Sequence, residues 1–450
     1  MKKLIALLLS LAMVSCMFAG CDNNKASDET KASDDTTASV SQETQDTQDT
    51  QTEAKGSVYY LNFKPEADEA WKTLAQSYTD QTGVPVKIVT AASGTYSDTL
   101  TTEMGKSSAP TLFQCGNMAG LKDWDEYCYD LTNTELAQEL TTSDFNLYNA
   151  DGQLKCIGYC YEAFGLIVNK DLLTKAGHTI DEIKDFASLK AVAEDITARS
   201  SELGFSAFTS AGLDGSSSWR FSGHLANLPL YYEGVTADSA TITNTYLPLY
   251  KNVWDLYINN ATCQPTELAS KTGDEAEAEF GEGKAVFFQN GTWEYANLTD
   301  KFGMSDDQLA MIPIYCGAEG EENTALCCGT ENCWAVNAKA SQEDIDATLA
   351  FLKWVVTSDE GTRMMADNFG PIPFKNAQEP KNVFFVDANK LITDGKKVVT
   401  WAFNYTPNVD DWRAGVVSAL MAYSAGQGEW SAVESAFVDG WATQWALANG

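Results

Sequence analysis

Val58-Tyr59-Tyr60-Leu61, Val84-Pro85-Val86-Lys87-Ile88-Val89 and Thr111-Leu112-Phe113-Gln114 are short apolar runs separated by two stretches of helical period, and their order decides the fold. Between the first two runs, residues 67–82 place Ala70, Trp71, Leu74, Ala75 and Tyr78 on one helical face, and Gly83 supplies the stop. Residues 99–105 read as a second helix. A strand–helix–strand–helix–strand opening implies a mostly parallel sheet with helices on both faces, in which ligands bind outside the carboxyl ends of the strands. Asn62, Lys64 and Glu66 after the first strand, and the segment from Gln114 to Asn117 after the third, are therefore expected to face one cleft.

The alternation continues down the chain. Phe164-Gly165-Leu166-Ile167-Val168-Asn169 reads as a strand leading into a helix from Asp171, and residues 188–199 as a helix. Ser341-Gln342-Glu343-Asp344 opens a further helix in the manner of a capping box. Phe369-Gly370-Pro371-Ile372-Pro373 must be irregular, because two prolines restrict the backbone and remove donors. Residues 413–425 and 429–446 close the chain as helices. Late in the sequence, an apolar strand through Ala285-Val286-Phe287-Phe288-Gln289 runs into Asn290-Gly291-Thr292-Trp293-Glu294-Tyr295. An indole held at a strand end between Asn and Glu suits a sugar ring, whose C–H face packs on the aromatic plane while polar neighbours take the hydroxyls. A Trp after a strand is more often core, so this reading draws its weight from the rest of the chain.

Met1-Lys2-Lys3 followed by an apolar run to Met13 is a basic n-region and h-region, too short to span a bilayer as a helix. It ends in Phe18-Ala19-Gly20-Cys21, the pattern of a bacterial lipoprotein signal over residues 1–20 with lipidation expected at Cys21; Cys16 is the second candidate. Residues 21–56 lack the apolar content to offset ordering entropy and read as an acidic tether from the lipid to a globular body. The formal net charge of −33, of which −29 falls on the body, excludes nucleic acid and anionic membrane as partners of a folded surface.

Only two His occur, His178 and His224, and neither sits in a zinc or catalytic-triad motif, so both are expected at the surface. Nine Cys fall in the body; Cys156-x3-Cys160 and Cys327-Cys328-x4-Cys333 lack paired CxxC spacing, so no metal is expected and buried apolar thiols are the preferred reading, with a Cys156–Cys160 disulfide as the alternative. No cofactor is expected.

Several segments, in order over residues 57–445, resemble the family 1 extracellular solute-binding proteins of bacterial ABC importers, the family of maltose-binding protein. They are Trp71-x2-Leu74-Ala75-x2-Tyr78-x3-Thr82-Gly83, Glu162 to Leu173, Phe280-x2-Gly283-Lys284-Ala285 with Asn290-Gly291-x-Trp293, Ser358-Asp359-Glu360-Gly361 with Phe369 to Pro373, and Pro407 to Trp412 with its helix. The resemblance implies an α/β fold of two lobes, class II of the periplasmic-binding-protein architecture, with an N-terminal lobe over 57–165 and 328–372 and a C-terminal lobe over 166–327 and 373–450. Three crossings near 163–168, 327–332 and 370–376 would let the lobes close on a ligand by hinge motion. By the same resemblance Lys64 and Glu66 match a polar cleft loop, Glu162 a carboxylate at the cleft floor, Trp293 and Trp412 aromatic platforms, and Trp219 a further aromatic. For Glu162 a ligand contact and a structural ion pair both stay open, and Trp334 and Trp401 are divided between core and cleft. Trp71, Trp254 and Trp354 are assigned to the core, and Glu294 and Asp410 to solvent. The expected cleft residues are thus Lys64, Glu66, Gln114, Asn117, Glu162, Trp219, Asn290, Trp293 and Trp412. Departures around Gln114-Cys115-Gly116-Asn117 count against maltose itself.

The implied function is capture of a mono- or oligosaccharide by a lipid-anchored monomer at the outer face of the cell membrane, for delivery to a membrane permease. The nearest competitor is the same scaffold carrying a polyamine or a peptide. A phosphoester would need clustered cations, and Arg220 and Arg413 are too few. A surface glycosidase would also use Trp and acids, but the resemblance is to binding proteins, so no enzymatic activity is expected.

Overall fold

The three opening runs do form adjacent strands. The computed structural model describes residues 56–450; the leader, the lipidation site expected at Cys21 or Cys16, and the tether up to residue 55 lie outside the described residues. Twelve strands are present in this part: β1 (Val58–Asn62), β2 (Val86–Thr90), β3 (Leu112–Gln114), β4 (Leu147–Tyr148), β5 (Leu154–Gly158), β6 (Glu162–Asn169), β7 (Ser206–Phe208), β8 (Ala285–Gly291), β9 (Leu309–Ile312), β10 (Thr324–Gly329), β11 (Cys333–Val336) and β12 (Lys397–Thr400). They make two sheets, β2-β1-β3-β11-β5-β4 and β12-β10-β6-β8-β7, with β9 also paired to β6.

Both sheets are mixed, where the sequence implied mostly parallel pairing. β1 is parallel to β2 and β3, but β11 enters antiparallel between β3 and β5. The reason is topological: the chain leaves the first sheet after β5 and re-enters it only at β11, coming from the opposite side. β6, central to the second sheet, is antiparallel to β8, β9 and β10.

The passages between sheets fall between Gly158 and Glu162, between Gly329 and Cys333, and between Phe374, which bridges to Leu140, and the helix Val383–Thr393. All of β6 belongs to the second sheet, so the first passage lies before residues 163–168 and the third runs on beyond 370–376. Residues 163–165 pack with the second half of the molecule, and Phe374 with the first.

The period-two pattern of β1 accounts for a core on each face of its sheet: Val58 and Tyr60 join one cluster and Leu61 the other. In the helix Asp68–Thr82, Trp71, Leu74, Ala75 and Tyr78 are buried at helical spacing, and Gly83 at φ 72° closes it with its N–H donating to Thr79 O. Ser341 caps the helix Gln342–Thr357 by accepting from Asp344 N–H. Gly370, at φ 75°, ends the helix Asp359–Phe369 immediately before the proline segment.

Trp71 is the hub of the first core. It is fully buried, with ring centroids 5.1 Å from Tyr60, 5.7 Å from Phe369 and 6.1 Å from Trp334. Trp71→Ala is expected to lower unfolding free energy by about 3–5 kcal/mol, from lost transfer energy plus the cavity left behind. Urea denaturation followed by circular dichroism measures this; a loss below about 1 kcal/mol would show that the core closes around the gap.

Candidate ligand cleft

Between the sheets lies a cavity of about 590 Å³, within the usual size of a small-molecule site. Its floor is a hydrogen-bonded network at the passages. Asn62, at the end of β1, fixes the following loop in both directions: Nδ2 donates to Lys64 O at 2.7 Å and Oδ1 accepts from Lys64 N–H at 3.0 Å. This places Lys64 Nζ 2.5 Å from Glu162 Oε1 and 3.2 Å from Glu66 Oε1. Glu162 Oε2 accepts from Asn332 Nδ2 at 2.7 Å, Asn332 Oδ1 from the Tyr159 hydroxyl at 3.3 Å, and the Tyr159 oxygen from Gln114 Nε2 at 2.8 Å. Burial opposes the charge on Lys64, yet Glu162 and Glu66 hold its ammonium above the ordinary lysine range.

The second half of the molecule supplies an aromatic wall. Trp293 follows β8, and its indole lies across Gly291, where a Cβ would sit 2.2 Å from the ring. Only glycine permits that approach, so the chain sets the tryptophan orientation two residues ahead of it. Trp219 faces Trp293 with centroids 5.8 Å apart, its indole N–H donating to Ser216 O at 2.8 Å. Lys64 Nζ lies 4.9 Å from the Trp293 ring centroid, joining the polar floor to the aromatic wall. The rims meet beyond the cavity: Ser93 Oγ reaches Ser216 O at 3.5 Å, and a Cβ on Gly94 would lie 2.4 Å from Gly215 O.

Of the residues expected from the sequence, Lys64, Glu66, Gln114, Asn117, Glu162, Trp219, Asn290 and Trp293 all line this cavity. Their polar atoms are unequally available. Gln114 is committed to Tyr159 and to Phe63 N–H, and both Glu162 oxygens are taken. Asn117 caps the helix Met118–Trp124 through Gly120 N–H, and Asn290 donates to Glu294 at 2.6 Å. These side chains hold the loops that line the cavity.

Trp412 is a correction. It is 2% exposed and absent from the cavity lining, with its indole N–H donating to Phe437 O at 3.0 Å and its ring against Phe437 and Trp441. In the helix Val409–Ser424 the buried face is Trp412, Val416, Leu420 and Ser424, an i, i+4, i+8 stripe against the helix Trp430–Asn449. The cavity sees instead Val409, Asp410 and Arg413. That stripe was readable in the sequence and marks Trp412 as core.

Three further side chains join the cleft. Trp401, at the end of β12, lines it, while Trp334 packs in the first core. His224 is not at the surface: it is 4% exposed, stacked on Phe164 at 4.5 Å, and burial together with Arg413 and Lys64 holds its imidazole well below the usual pKa. Glu331, on the second passage, also lines the cavity. Eight carboxylates and four cations line it in all. His178, in contrast, bridges Glu182 and Asp195 near the surface, as a solvated residue would.

All nine body cysteines are free thiols. Cys115, Cys128 and Cys156 place their sulfurs within 4.8 Å of one another in the cluster on the Leu61 face of the first sheet, a grouping that sequence spacing does not reveal. Among the described residues no helix is long and apolar enough to cross a membrane.

Glu294 is buried rather than solvated, and this has a pH signature. Burial, with Glu277 and then Glu66 adding like charge, pushes its carboxyl up from 4.5 to about 8. The folded protein thus holds this proton more tightly than the unfolded chain does. The associated stability is fully present below pH 4.5 and is lost as pH rises through about 8. The melting temperature of ligand-free protein is expected to fall as pH rises from about 4.5 to about 8, with a shallower slope in Glu294→Gln. Identical slopes would refute the assignment.

Residues 73–430 match the family model of the bacterial extracellular solute-binding proteins. No curated protein sequence matches the chain. Among solved structures, the solute-binding protein RafE in complex with raffinose superimposes with a TM-score of 0.68 at 15% identity, over 85% of this chain and 98% of that one. The GacH receptor of Streptomyces glaucescens, solved unliganded and with acarbose, gives 0.67 at 20% identity, over 88% and 99%. A sugar transporter from Bacillus licheniformis in complex with stachyose gives 0.65 at 15% identity, over 86% and 100%. At these identities the likeness concerns the fold, a two-lobe α/β architecture with the cleft between its sheets. The family match spans well over half of the sequence, and with it the chain belongs to the bacterial extracellular solute-binding proteins.

Proposed function

We propose that the cleft captures a carbohydrate and that the chain is the substrate-binding component of an ABC importer, delivering its ligand unchanged to a membrane permease. The observation that carries this reading is the pairing of Trp293 and Trp219 opposite the Lys64–Glu66–Glu162 cluster. An aromatic plane offers a sugar's C–H face roughly 100 Å² of apolar contact, about 2–3 kcal/mol at 25 cal/mol per Å². A charged partner adds roughly 1.5–3 kcal/mol for each hydroxyl hydrogen bond in a closed cleft. After association costs, such terms support micromolar binding. The raffinose, acarbose and stachyose bound by the structural neighbours favour the same ligand class.

The working state of this reading is a lipoprotein anchored through Cys21 at the outer face of the cell membrane, acting as a monomer. The signal pattern of residues 1–21 supports the anchor. The excess of carboxylates over cations in the lining favours one alternative, a cationic solute such as a polyamine.

Titration calorimetry against neutral oligosaccharides and polyamines tests the proposal. Binding of a neutral sugar is expected, with Trp293→Ala weakening it at least tenfold while the ligand-free melting temperature changes little. Binding of spermidine with no response to any sugar would transfer the scaffold to the alternative ligand. Sugar recovered in hydrolysed form would make the chain an enzyme.

A further inference from the structure

We propose that Cys115, Cys128 and Cys156 form a buried three-thiolate site for a soft metal ion, Cu(I), which staples β3, β5 and the loop after Tyr127 to one another. The site stands whichever solute the cleft takes.

Alternation along the strands brings the three sulfurs to one place. Phe113 and Cys115 share the Leu61 face of the first sheet, and so does Cys156, whose neighbour Ile157 joins the opposite core. Cys115 N–H donates to Cys333 O at 3.1 Å, which ties it to β11, and Cys156 pairs with Leu147 in β4. Cys128 follows the turn Asp125–Tyr127, donates its N–H to Asp125 O at 3.0 Å and bridges to Asn337. All three residues are at most 2% exposed. The thiols thus sit on fixed backbone inside the protein, with no solvent to turn to.

The spacing is that of a metal site. The Sγ atoms of Cys115 and Cys128 are 3.9 Å apart, and all three sulfurs fall within 4.8 Å of one another. With metal–sulfur bonds of about 2.3 Å, sulfurs around one ion stand about 3.8 Å apart in a tetrahedron and about 4.0 Å in a trigonal plane. Small side-chain rotations therefore close the set on an ion. Two other buried thiols are oriented differently: Cys328 Sγ donates to Leu326 O at 3.5 Å and Cys333 Sγ to Phe145 O at 3.6 Å. The thiols of the trio turn to one another instead.

The donor set selects the ion. Thiolate is a soft ligand that suits Cu(I) and zinc, but zinc in a closed site takes four ligands. Among the described residues no imidazole or carboxylate joins the three sulfurs. Three sulfurs leave zinc one ligand short and complete a trigonal shell around monovalent copper. Binding is an exchange of protons for metal: each S–H proton leaves to the buffer as its sulfur–metal bond forms, so three thiolates around one Cu(I) carry net negative charge. Lys155 offsets that charge from the edge of the cluster, where its Nζ donates to Cys128 O at 2.9 Å and stands 3.8 Å from Asp125 Oδ1. Phe113, Leu121 and Trp124 pack in the same cluster and keep water from the sulfurs. Cys115 also belongs to the segment between Gln114 and Asn117 that lines the cavity, so a bound ion would stiffen one wall of the cleft.

The test uses the full chain, purified reduced and without oxygen, and titrated with Cu(I) as its acetonitrile complex against bicinchoninate, both folded and during refolding from urea. One equivalent that the competitor does not remove is expected, with three sulfurs around the copper by X-ray absorption and a higher melting temperature than the metal-free chain. Cys115→Ser, Cys128→Ser and Cys156→Ser should each weaken retention at least tenfold, whereas Cys263→Ser should not. Melting curves of the metal-free variants show which of them fold; where one does not, the other two and the wild-type absorption spectrum decide. No retained equivalent would overturn the site and leave the trio as apolar core thiols. An equivalent that survives all three substitutions, or a copper shell containing nitrogen or oxygen, would overturn it as well. Retention of Zn(II) in preference to Cu(I) would overturn the choice of ion.

Discussion

A lysine ammonium buried between two carboxylates sets the geometry of this cleft. Lys64 belongs to the loop after β1, while Glu162 begins β6 in the other sheet, and both are about 95% buried. A pair so removed from water gives little net stability against an apolar alternative, but losing one partner leaves an uncompensated charge, at about 3–5 kcal/mol. The pair therefore acts as a register pin: the loop after β1 and the start of β6 must lie together whenever the passages are packed. Asn332 brings the second passage into the same network, through Glu162 on one side and Tyr159 on the other.

From that pin the rest of the cleft follows by short connections. β6 is central to the second sheet and pairs with β8 from Phe164↔Gly291 to Val168↔Phe287. Fixing the start of β6 thus fixes the end of β8, and with it Trp293 two residues on. Gly291 then determines how the indole lies. The polar floor and the aromatic wall are two consequences of one strand alignment, brought within cation–π distance at Lys64 and Trp293.

Much of this was legible in the sequence because it depends on local period. The strand–helix opening, the Gly83 stop, the Ser341 cap and the irregular proline segment are each decided by a few neighbouring residues. What was not legible depends on rotation about an element or on passage between elements. Trp412 and Arg413 are adjacent in sequence and about 100° apart around one helix, and it is Arg413, not the aromatic residue, that lines the cavity. His224 carries no motif, and only the packing of Phe164, Phe403 and Trp401 around it brings it to the cleft. Cys115, Cys128 and Cys156 meet because β3, β5 and the loop bridged to Asn337 are neighbours in space, which no sequence spacing encodes. The antiparallel pairs escaped notice for a similar reason, since they require knowing where the chain returns.

The distribution of satisfied and unsatisfied groups divides the cleft into two kinds of surface. Gln114, Glu162 and Asn290 have spent their hydrogen bonds on the protein, and such residues define shape: they hold loops at a fixed distance. Arg413 has no ion pair among the described residues and is held over Gly223 by packing alone, so a cavity-lining group of this kind can bond without first breaking a contact. Preorganisation of this kind lowers the cost of binding, because neither side-chain ordering nor loss of an internal partner is incurred when the ligand arrives.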